Sequence, residues 1–503
     1  MRHVLLNTAE IEEMRRRVAE HKWAADIVDV LRDSIQRDPR QPTIPYETVQ
    51  PYTEAKALSR QARDMALVHV ITGDEAPLEK MIDYFRREFR LDAMNQILDA
   101  EPPASIGRLN AKSVKNWHPS QWSYGLMRGS FFQAYDLTRD HAAWQADGVG
   151  ERLEQRMREV LEVQKPMLAG VRGWGNCQTW YAGTCALLGA MVDDKDAVDL
   201  AIDGPLGFKA ILGLLLDNRF WPEPVSYGHH YVKCVLTLIA EVARHIDREN
   251  LYEWETDEGV SLKNMYDGFI DLLFADGRMA AHGDGSGTSE QLELIPSRQR
   301  YSTWCKPVDK LWGHTYNRNG NTFEIAYRAY RDPRYAWVLA QQPGRDTWDA
   351  EFWGFTGLTH GVPLTERQPP GARSSVWRCY GAALVRGDET GNYWHSDAPA
   401  VYLRRGQQKA HGHSDGGHIL LNAFGRNLYS DKQIKWNYQG RIDPDTGANL
   451  NPTPFSKMRI AHNTVSVDCA EPKRPFLAQL GAIRHSGPMK IVAYYEADAG
   501  LRR

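Results

Sequence analysis

The chain has 503 residues, too many for one ordinary hydrophobic core, and this length predicts two domains. Its 64 acidic and 61 basic side chains give a net charge of −3, which excludes the polybasic signature of a nucleic-acid-binding protein. No stretch of sequence approaches the run of about 18 apolar residues that predicts a membrane span. The six cysteines include no C-x-x-C pair, so neither a disulfide scaffold nor a zinc knuckle is predicted.

The first residues show no pattern of a signal peptide. M-R-H-V-L-L-N-T-A-E carries one basic residue and a short apolar run but no small-residue cleavage site. We expect either a cytoplasmic protein that acts on imported oligomers, or a periplasmic or secreted protein whose leader has been removed. The oligomeric state also stays open at this point, a homodimer included.

From Thr8 to about Glu366 the pattern is mainly helical. Apolar residues recur at helical spacing in segments separated by breaks such as D-P-R-Q-P-T-I-P at 38–45. Paired helices without a fixed-period repeat favour a helical toroid or solenoid over a tandem repeat array. After the helix that starts at Thr8, the predicted helices cover 52–72, 76–88, 121–138, 150–167, 179–192, 198–217, 231–245 and 261–274.

The composition changes around Pro369–Ser374, and the segments beyond it alternate like β-strands. These segments are S-V-W-R-C-Y-G-A-A-L-V-R, A-V-Y-L-R-R, H-I-L-L-N-A-F, H-N-T-V-S-V-D and M-K-I-V-A-Y-Y. We therefore predict a helical domain over residues 1–370 and an antiparallel β-domain over residues 371–503. The second domain is short, so we expect it to be truncated or reduced.

Histidine and aspartate side chains recur in the strand-like segments. His411 and His413 stand in K-A-H-G-H-S-D-G-G-H, and because alternate side chains of an extended segment share a face, both reach one site. Asp431 ends the following apolar run, and His462 opens H-N-T-V-S-V-D. His413, Asp431 and His462 form a candidate ligand set for a structural zinc ion. No organic cofactor is predicted.

The run H-G-H-S-D-G-G-H-I-L-L-N-A-F-G-R-N-L-Y-S-D, together with H-N-T-V-S-V-D, resembles the heparinase II/III-like polysaccharide lyases, a superfamily that includes alginate lyases. The resemblance is strongest from Gly406 to Asp468 and is supported by D-G-R-M-A-A-H-G-D-G-S-G at 276–287. It implies a multidomain α+β protein, in which an α/α toroid (an incomplete barrel) precedes an antiparallel β-sandwich. It also implies β-elimination on a uronic-acid-containing polysaccharide, which leaves an unsaturated uronide, and a metal ion in the sandwich.

The resemblance assigns three catalytic candidates. Asn176, in G-W-G-N-C-Q-T-W, matches an asparagine of these lyases, and its amide can neutralise the uronate carboxylate. Cys177 follows it where many of these lyases carry histidine. Tyr227, in S-Y-G-H-H-Y, is the candidate acid and base, with Tyr231 as the competing assignment. His411 is a candidate base, or a partner that lowers the pKa of the tyrosine.

Other polar and aromatic side chains in these stretches are candidates for binding the anionic polysaccharide. Aromatic faces suit sugar rings, and arginine can bind a carboxylate bidentately. The competing interpretation is that the aromatic residues fill the core, that the asparagine caps a helix, and that the arginines are solvated. The candidates are Gln178, Trp180, His230, Tyr231, Arg298 and Arg300.

Two other functions stay open from the sequence. A glycoside hydrolase with a helical toroid would use a pair of carboxylates such as Glu223 and Asp284, although Asp284 also suits a residue that orders the H-G-D-G-S-G loop. A non-catalytic carbohydrate-binding protein on the same fold would form no product. The sequence specifies neither the polymer nor whether it is cut internally or from an end.

Overall fold

A computed structural model of the chain describes residues 3–36, 51–87, 130–170, 176–225, 230–275, 279–280, 282–283, 318–340, 356–404, 412–413, 415–429, 462–464, 478–483 and 490–495. Within these ranges every α-helix precedes every strand. The prediction of a helix-rich N-terminal region followed by a C-terminal antiparallel sheet is confirmed. No helix in the described ranges is long and apolar enough to cross a membrane.

The helices are numbered in chain order. They are α1 (Thr8–Glu20), α2 (Lys22–Gln36), α3 (Pro51–Thr72), α4 (Glu75–Arg87), α5 (Ser130–Thr138), α6 (Val149–Ala169), α7 (Asn176–Met191), α8 (Lys195–Asp203), α9 (Phe208–Leu212), α10 (His230–His245), α11 (Leu262–Asp271), α12 (Arg318–Tyr330), α13 (Pro333–Ala340) and α14 (Thr356–His360).

Helix α7 is central to the helical region. It packs against α6, α8 and α10, and most of its described side chains are buried. Gly189 allows the close approach of α8, because a Cβ at this position would lie 2.9 Å from the Cβ of Ala197. The helix predicted over 198–217 is wrong in extent. The chain breaks at Gly204, which is followed by Pro205, and only α8 and the short α9 form.

The first helix packs against the last. Arg17 of α1 donates hydrogen bonds to the backbone carbonyl groups of Leu358 and Gly361, at and just beyond α14. Glu10 of α1 accepts from Arg244 of α10 at 2.6 Å and lies 2.7 Å from the ring of His245. These long-range polar contacts join α1 to α10 and to the end of α14.

A fully buried carboxylate lies in the same region. Glu241 of α10 accepts from Arg328 of α12, from Arg244 at 2.9 Å and from the hydroxyl of Tyr252 at 2.6 Å. Burial raises the pKa of the Glu241 carboxyl, but the charges of Arg328 and Arg244 outweigh burial and hold this pKa well below its usual range. The carboxylate therefore stays ionised in the interior.

We expect Glu241→Ala to lower the free energy of unfolding by about 3–5 kcal/mol, because it leaves the partly buried Arg328 and Arg244 with Glu10 as their remaining carboxylate partner in the described part of the chain. Urea denaturation followed by circular dichroism measures this loss. The matched control is Asp26→Ala, which removes the partner of Lys22 in an exposed ion pair on α2 and should cost about 1 kcal/mol or less. Equal losses in the two variants would contradict a stabilising role for the Glu241 cluster.

Five strands form one antiparallel sheet in chain order: β1 (Ser375–Trp377), β2 (Ala382–Arg386), β3 (Ala400–Arg404), β4 (Ile419–Ala423) and β5 (Arg426–Tyr429). A separate antiparallel pair consists of β6 (Ala478–Ile483) and β7 (Lys490–Tyr495). The last α-helix ends at His360 and the first strand begins at Ser375, on either side of the predicted boundary at 370.

The two faces of the five-stranded sheet differ in chemistry. On one face, Arg386, Tyr402, Arg404 and Asn422 are all buried, and Arg386 donates to the carbonyl groups of Asp271 and Leu273 in and after α11. We call this the inner face. Where β2, β3 and β4 pair with one another, the opposite, outer face carries only aliphatic side chains, which are Ala383, Val385, Val401, Leu403, Ile419 and Leu421. At the edge of the sheet, β5 places Tyr429 opposite Leu421 and Arg426 opposite Ala423.

Tyr380, in the turn between β1 and β2, joins the sheet to the helical region. Its backbone N–H donates to Asp217 at 2.7 Å, and its ring stacks on Phe220 with the centroids 4.4 Å apart. Arg404 of β3 stabilises the turn by donating a hydrogen bond to the Tyr380 carbonyl group at 2.6 Å. The segment that leads to Glu223 is therefore packed directly against the sheet.

Candidate active site

Asn176 is the first residue of α7, and its polar groups meet one carboxylate. Its side-chain nitrogen Nδ2 donates to Oε2 of Glu223 at 2.6 Å, and its backbone N–H donates to Oε1 at 3.0 Å. Asn176 and Glu223 are 3% and 1% exposed. A carboxylate at this position is also favoured by the partial positive charge of the helix N-terminus.

Glu223 stands in the short segment W-P-E-P, and its backbone is tied at both ends. Its N–H donates to the carbonyl oxygen of Trp221 at 2.8 Å, and its carbonyl oxygen accepts from the hydroxyl of Tyr380 at 3.4 Å. The flanking Pro222 and Pro224 fix their own φ angles, which limits the paths that the segment can take. The sequence had suggested Glu223 only as a hydrolase acid, and its contact with Asn176 was missed.

His282 continues the polar contacts into the sheet. Its ring is nearly parallel to that of Tyr402 on β3, with the centroids 5.8 Å apart, and its Nδ1 lies 2.6 Å from the Tyr402 hydroxyl and its Nε2 3.3 Å from the Tyr380 hydroxyl. Because the Tyr380 hydroxyl donates its single proton to Glu223, it accepts from Nε2–H of His282, and Nδ1 accepts from Tyr402. The contacts thus run in one direction, from Tyr402 through His282 and Tyr380 to Glu223.

The link through His282 was also missed from the sequence, which singled out Asp284 in the same H-G-D-G-S-G loop. His282 itself is completely buried, as is Tyr402, and burial raises the pKa of the Tyr402 hydroxyl well above its usual value. Tyr402 is therefore a neutral hydrogen-bonding group. The repeated small and polar residues of the loop were the only available signal.

Two of the predicted substrate-binding residues lie in the interior. Trp180 of α7 is 1% exposed and Tyr231 of α10 is 5% exposed, and their ring centroids are 5.7 Å apart. In this structure their rings pack against each other, as the core-packing interpretation expected. Their contact with sugar rings stays a prediction.

The histidines of the strand region lie close together. The rings of His413 and His462 have centroids 5.1 Å apart, and those of His418 and His462 are 5.6 Å apart. All three side chains are buried. Among the described residues, no three His, Cys, Asp or Glu side chains form a group that could hold a metal ion.

His418 differs chemically from its two neighbours. Its Nδ1 accepts a hydrogen bond from the backbone N–H of Asn463 at 3.1 Å, so the proton of the neutral ring is on Nε2. Metal-binding histidines instead donate from the ring nitrogen that does not bind the metal. Through this hydrogen bond, His418 joins the start of β4 to the segment that contains His462.

The remaining predicted site residues cannot be placed within the described part of the chain. Six of them lie outside it: Tyr227, Asp284, Arg298, Arg300, His411 and Asp431. For Gln178 and His230, the side chains lie outside it.

Comparisons with known proteins were made for both sequence and fold. The family model described as alginate lyase matches residues 15–276, just over half of the chain. A search of the curated proteins found no match.

Solved structures of lyases resemble the fold. A heparan sulfate lyase HepC mutant from Pedobacter heparinus is 14% identical, with a TM-score of 0.52 over 96% of this chain and 72% of that chain. A heparinase III gene product is 12% identical, with a TM-score of 0.49 over 95% of this chain and 66% of that chain. An alginate lyase from Bacteroides ovatus is 12% identical, with a TM-score of 0.44 over 72% of this chain and 99% of that chain. The chain thus spans slightly less than two thirds of the heparinase III, and at these identities the likeness concerns the fold alone.

Proposed function

The chain belongs to the alginate lyase family, and from this premise we propose that it is a polysaccharide lyase that cleaves a uronic-acid-containing polysaccharide or oligosaccharide by β-elimination. The observation that carries the proposal is the family match over residues 15–276, a range that includes Asn176 and the S-Y-G-H-H-Y loop. In this reaction a base removes the proton at C5 of the uronate, the C4–C5 double bond forms, and the C4–O bond breaks. The departing oxygen takes up a proton, and water is not consumed.

We assign the chemical roles to three residues. Asn176 binds the uronate carboxylate through its amide, which offsets the charge that builds up when the neighbouring proton leaves. Tyr227 protonates the departing oxygen and also serves as base, and His411 assists as base or lowers the pKa of the tyrosine. What supports these roles is the position of Asn176 at the buried N-terminus of α7 and the sequence context of Tyr227 and His411.

The candidate substrate-binding residues belong to the same proposal. The substrate is an anionic polysaccharide or oligosaccharide, and the side chains proposed to bind it are Gln178, Trp180, His230, Tyr231, Arg298 and Arg300.

We also propose the finer architecture, an α/α toroid over 1–370 and an antiparallel β-sandwich over 371–503. The packing of α1 against α14 supports the toroid, because it brings together the two ends of the described helical region. The outer face of the five-stranded sheet supports the sandwich. Where β2, β3 and β4 pair, this face is aliphatic, and Val401 and Ile419 are 36% and 40% exposed, so a second sheet packed on this face would bury them.

A structural zinc ion, held by His413, Asp431 and His462, is the remaining part of the proposal. Two imidazoles that bind one zinc at about 2.0–2.1 Å in tetrahedral geometry have ring centroids about 5 Å apart. The His413 and His462 rings, 5.1 Å apart, fit this spacing. Asp415 lies two residues from His413, and both of its carboxylate oxygens are buried without a hydrogen bond in the described part of the chain. A nearby cation would offset this buried charge.

The hydrolase alternative receives no support from the geometry of Glu223. Both oxygens of this carboxylate accept hydrogen bonds from Asn176. A glycosidase acid must instead reach the glycosidic oxygen of the bound sugar.

Ultraviolet absorbance tests the proposed function directly. We expect incubation with alginate, glucuronan, heparan-type or chondroitin-type chains, or with their oligomers, to produce the absorbance band of a conjugated enol-ether acid with at least one substrate. The matched control is Asn176→Ala, which should lose most of the rate. New reducing ends without this absorbance would replace the proposal with a hydrolase, and binding without any product would replace it with a carbohydrate-binding protein.

A further inference from the structure

We propose that Glu223 is a positioning residue, which fixes the orientation of the Asn176 amide, and that Tyr380 of the sheet holds Glu223 in place. This inference rests on the proposed function, in which Asn176 binds the uronate carboxylate. It adds two residues to the site that the sequence had not assigned to elimination.

The two ends of the asparagine amide have opposite hydrogen-bonding roles. The nitrogen end donates hydrogen bonds and the oxygen end accepts them, so a flipped amide presents the wrong group to an anion. Both oxygens of Glu223 act as acceptors toward Asn176, at 2.6 Å for the side-chain nitrogen and 3.0 Å for the backbone N–H. The nitrogen of the amide must therefore face Glu223. This contact thereby fixes the orientation of the whole amide group, which binds the uronate in our proposal.

The Glu223 carboxylate has the same sign of charge as the uronate. A carboxylate near an anionic substrate repels it, so Glu223 does not act by attracting the uronate. The N-terminus of α7 and the two hydrogen bonds from Asn176 stabilise the Glu223 carboxylate where it stands. Its contribution is therefore the geometry of the amide, which acts on the transition state through Asn176.

The five-stranded sheet contributes to the position of the Glu223 backbone. The Tyr380 hydroxyl donates to the backbone carbonyl oxygen of Glu223 at 3.4 Å, and the Tyr380 ring stacks on Phe220, three residues earlier in the chain. On the side of β3, Nε2 of His282 lies 3.3 Å from the same hydroxyl, and Nδ1 of His282 lies 2.6 Å from the hydroxyl of Tyr402. The position of the Glu223 backbone is thus set jointly by the helical region and by the inner face of the sheet.

A double-mutant cycle between Glu223 and Asn176 tests the proposal. Glu223→Gln keeps the size of the side chain but replaces one acceptor oxygen by an N–H₂ group, which then faces one of the two donors of Asn176. We expect kcat/KM to fall about 10²-fold, mostly through kcat, as for the loss of one preorganised donor. In the Asn176→Ala background the same change should cost less than about twofold, because the amide through which Glu223 acts is absent.

Three further variants extend the test beyond the double-mutant cycle. Glu223→Asp keeps the carboxylate and should retain more activity than Glu223→Gln, and Tyr380→Phe should cause a smaller loss in kcat. Glu154→Gln is the matched control, because it alters a glutamate that accepts a hydrogen bond from the Tyr135 hydroxyl at 2.8 Å, and its activity should stay unchanged. A full additional loss on adding Glu223→Gln to Asn176→Ala, or normal activity of Glu223→Gln alone, would overturn the proposal.

A spectroscopic readout separates failure of this inference from failure of the proposed function. In protein labelled with ¹⁵N at asparagine, the side-chain amide signal of Asn176 is identified by its loss in Asn176→Ala. We expect Glu223→Gln, or Glu223→Asp if the former does not fold, to shift this signal and to speed its hydrogen exchange, whereas Glu154→Gln should not. An unchanged signal would overturn the positioning role whether or not the wild-type protein shows elimination.

Discussion

Tyr227→Phe should abolish turnover while leaving the melting temperature and substrate binding nearly unchanged. The substitution removes one hydroxyl, and in our proposal this hydroxyl protonates the departing oxygen and removes the C5 proton. Loss of a general acid–base group typically lowers the rate by about 10²–10⁴-fold. Initial rates from the ultraviolet absorbance of the product, with binding measured separately by calorimetry, give the result.

Tyr231→Phe is the matched control for this experiment. Tyr231 lies four residues further along the chain, is 5% exposed and packs against Trp180, so removal of its hydroxyl should leave the ring packing intact and should lower the rate far less than Tyr227→Phe does. If Tyr227→Phe retains more than about a tenth of the wild-type rate and Tyr231→Phe does not, the catalytic tyrosine is Tyr231.

Helices whose pattern is local were predicted well from the sequence. The predicted range 52–72 corresponds to α3 (Pro51–Thr72) and 150–167 to α6 (Val149–Ala169), because a buried stripe at helical spacing is visible in the residues themselves. The apolar pattern over 198–217 continued across a backbone break at Gly204, and there the pattern misled. Similarly, the strand-like run at 375–386 forms two strands, β1 and β2, with Gly381 in the left-handed region at φ +74° in the turn between them.

The contacts within the candidate site could not be predicted in the same way. Asn176 was singled out by its motif, but its partner Glu223 lies 47 positions away and meets it only because the W-P-E-P segment packs beside the start of α7. Tyr380 and Tyr402 approach His282 from the sheet, at sequence separations of 98 and 120. Side-chain partners at these distances depend on tertiary packing, which neither periodicity nor spacing encodes. The proximity of His413 and His462 was predicted, because both were placed in one candidate set of zinc ligands from separate strand-like segments.

Loss of the proposed zinc ion is the second change from which we expect a large effect, in this case on folding stability. His413 lies just before β4 and His462 in a separate segment, which is tied to β4 by the hydrogen bond from the Ile419 N–H to the Asn463 carbonyl group at 3.0 Å. An ion shared by His413, Asp431 and His462 would join three segments that are distant in sequence. Because such a site does not exist in the unfolded chain, its binding free energy contributes directly to folding. The ion therefore has a structural role in our proposal, while Asn176, Tyr227 and His411 supply what elimination requires.

His413→Ala should release the metal and lower the melting temperature by more than 10 °C, on the scale of roughly 2–4 °C per kcal/mol for a domain of this size. His411→Ala is the matched control, two residues away, and should lower the rate with little change in melting temperature or zinc content. Elemental analysis of the purified protein should find about one zinc per chain, and brief chelation should lower the melting temperature before it lowers the initial rate. If chelation instead stops turnover at once in protein that remains folded, and zinc restores it, the ion takes part in elimination and itself neutralises the uronate carboxylate, since a bound cation is the strongest local charge available for that task.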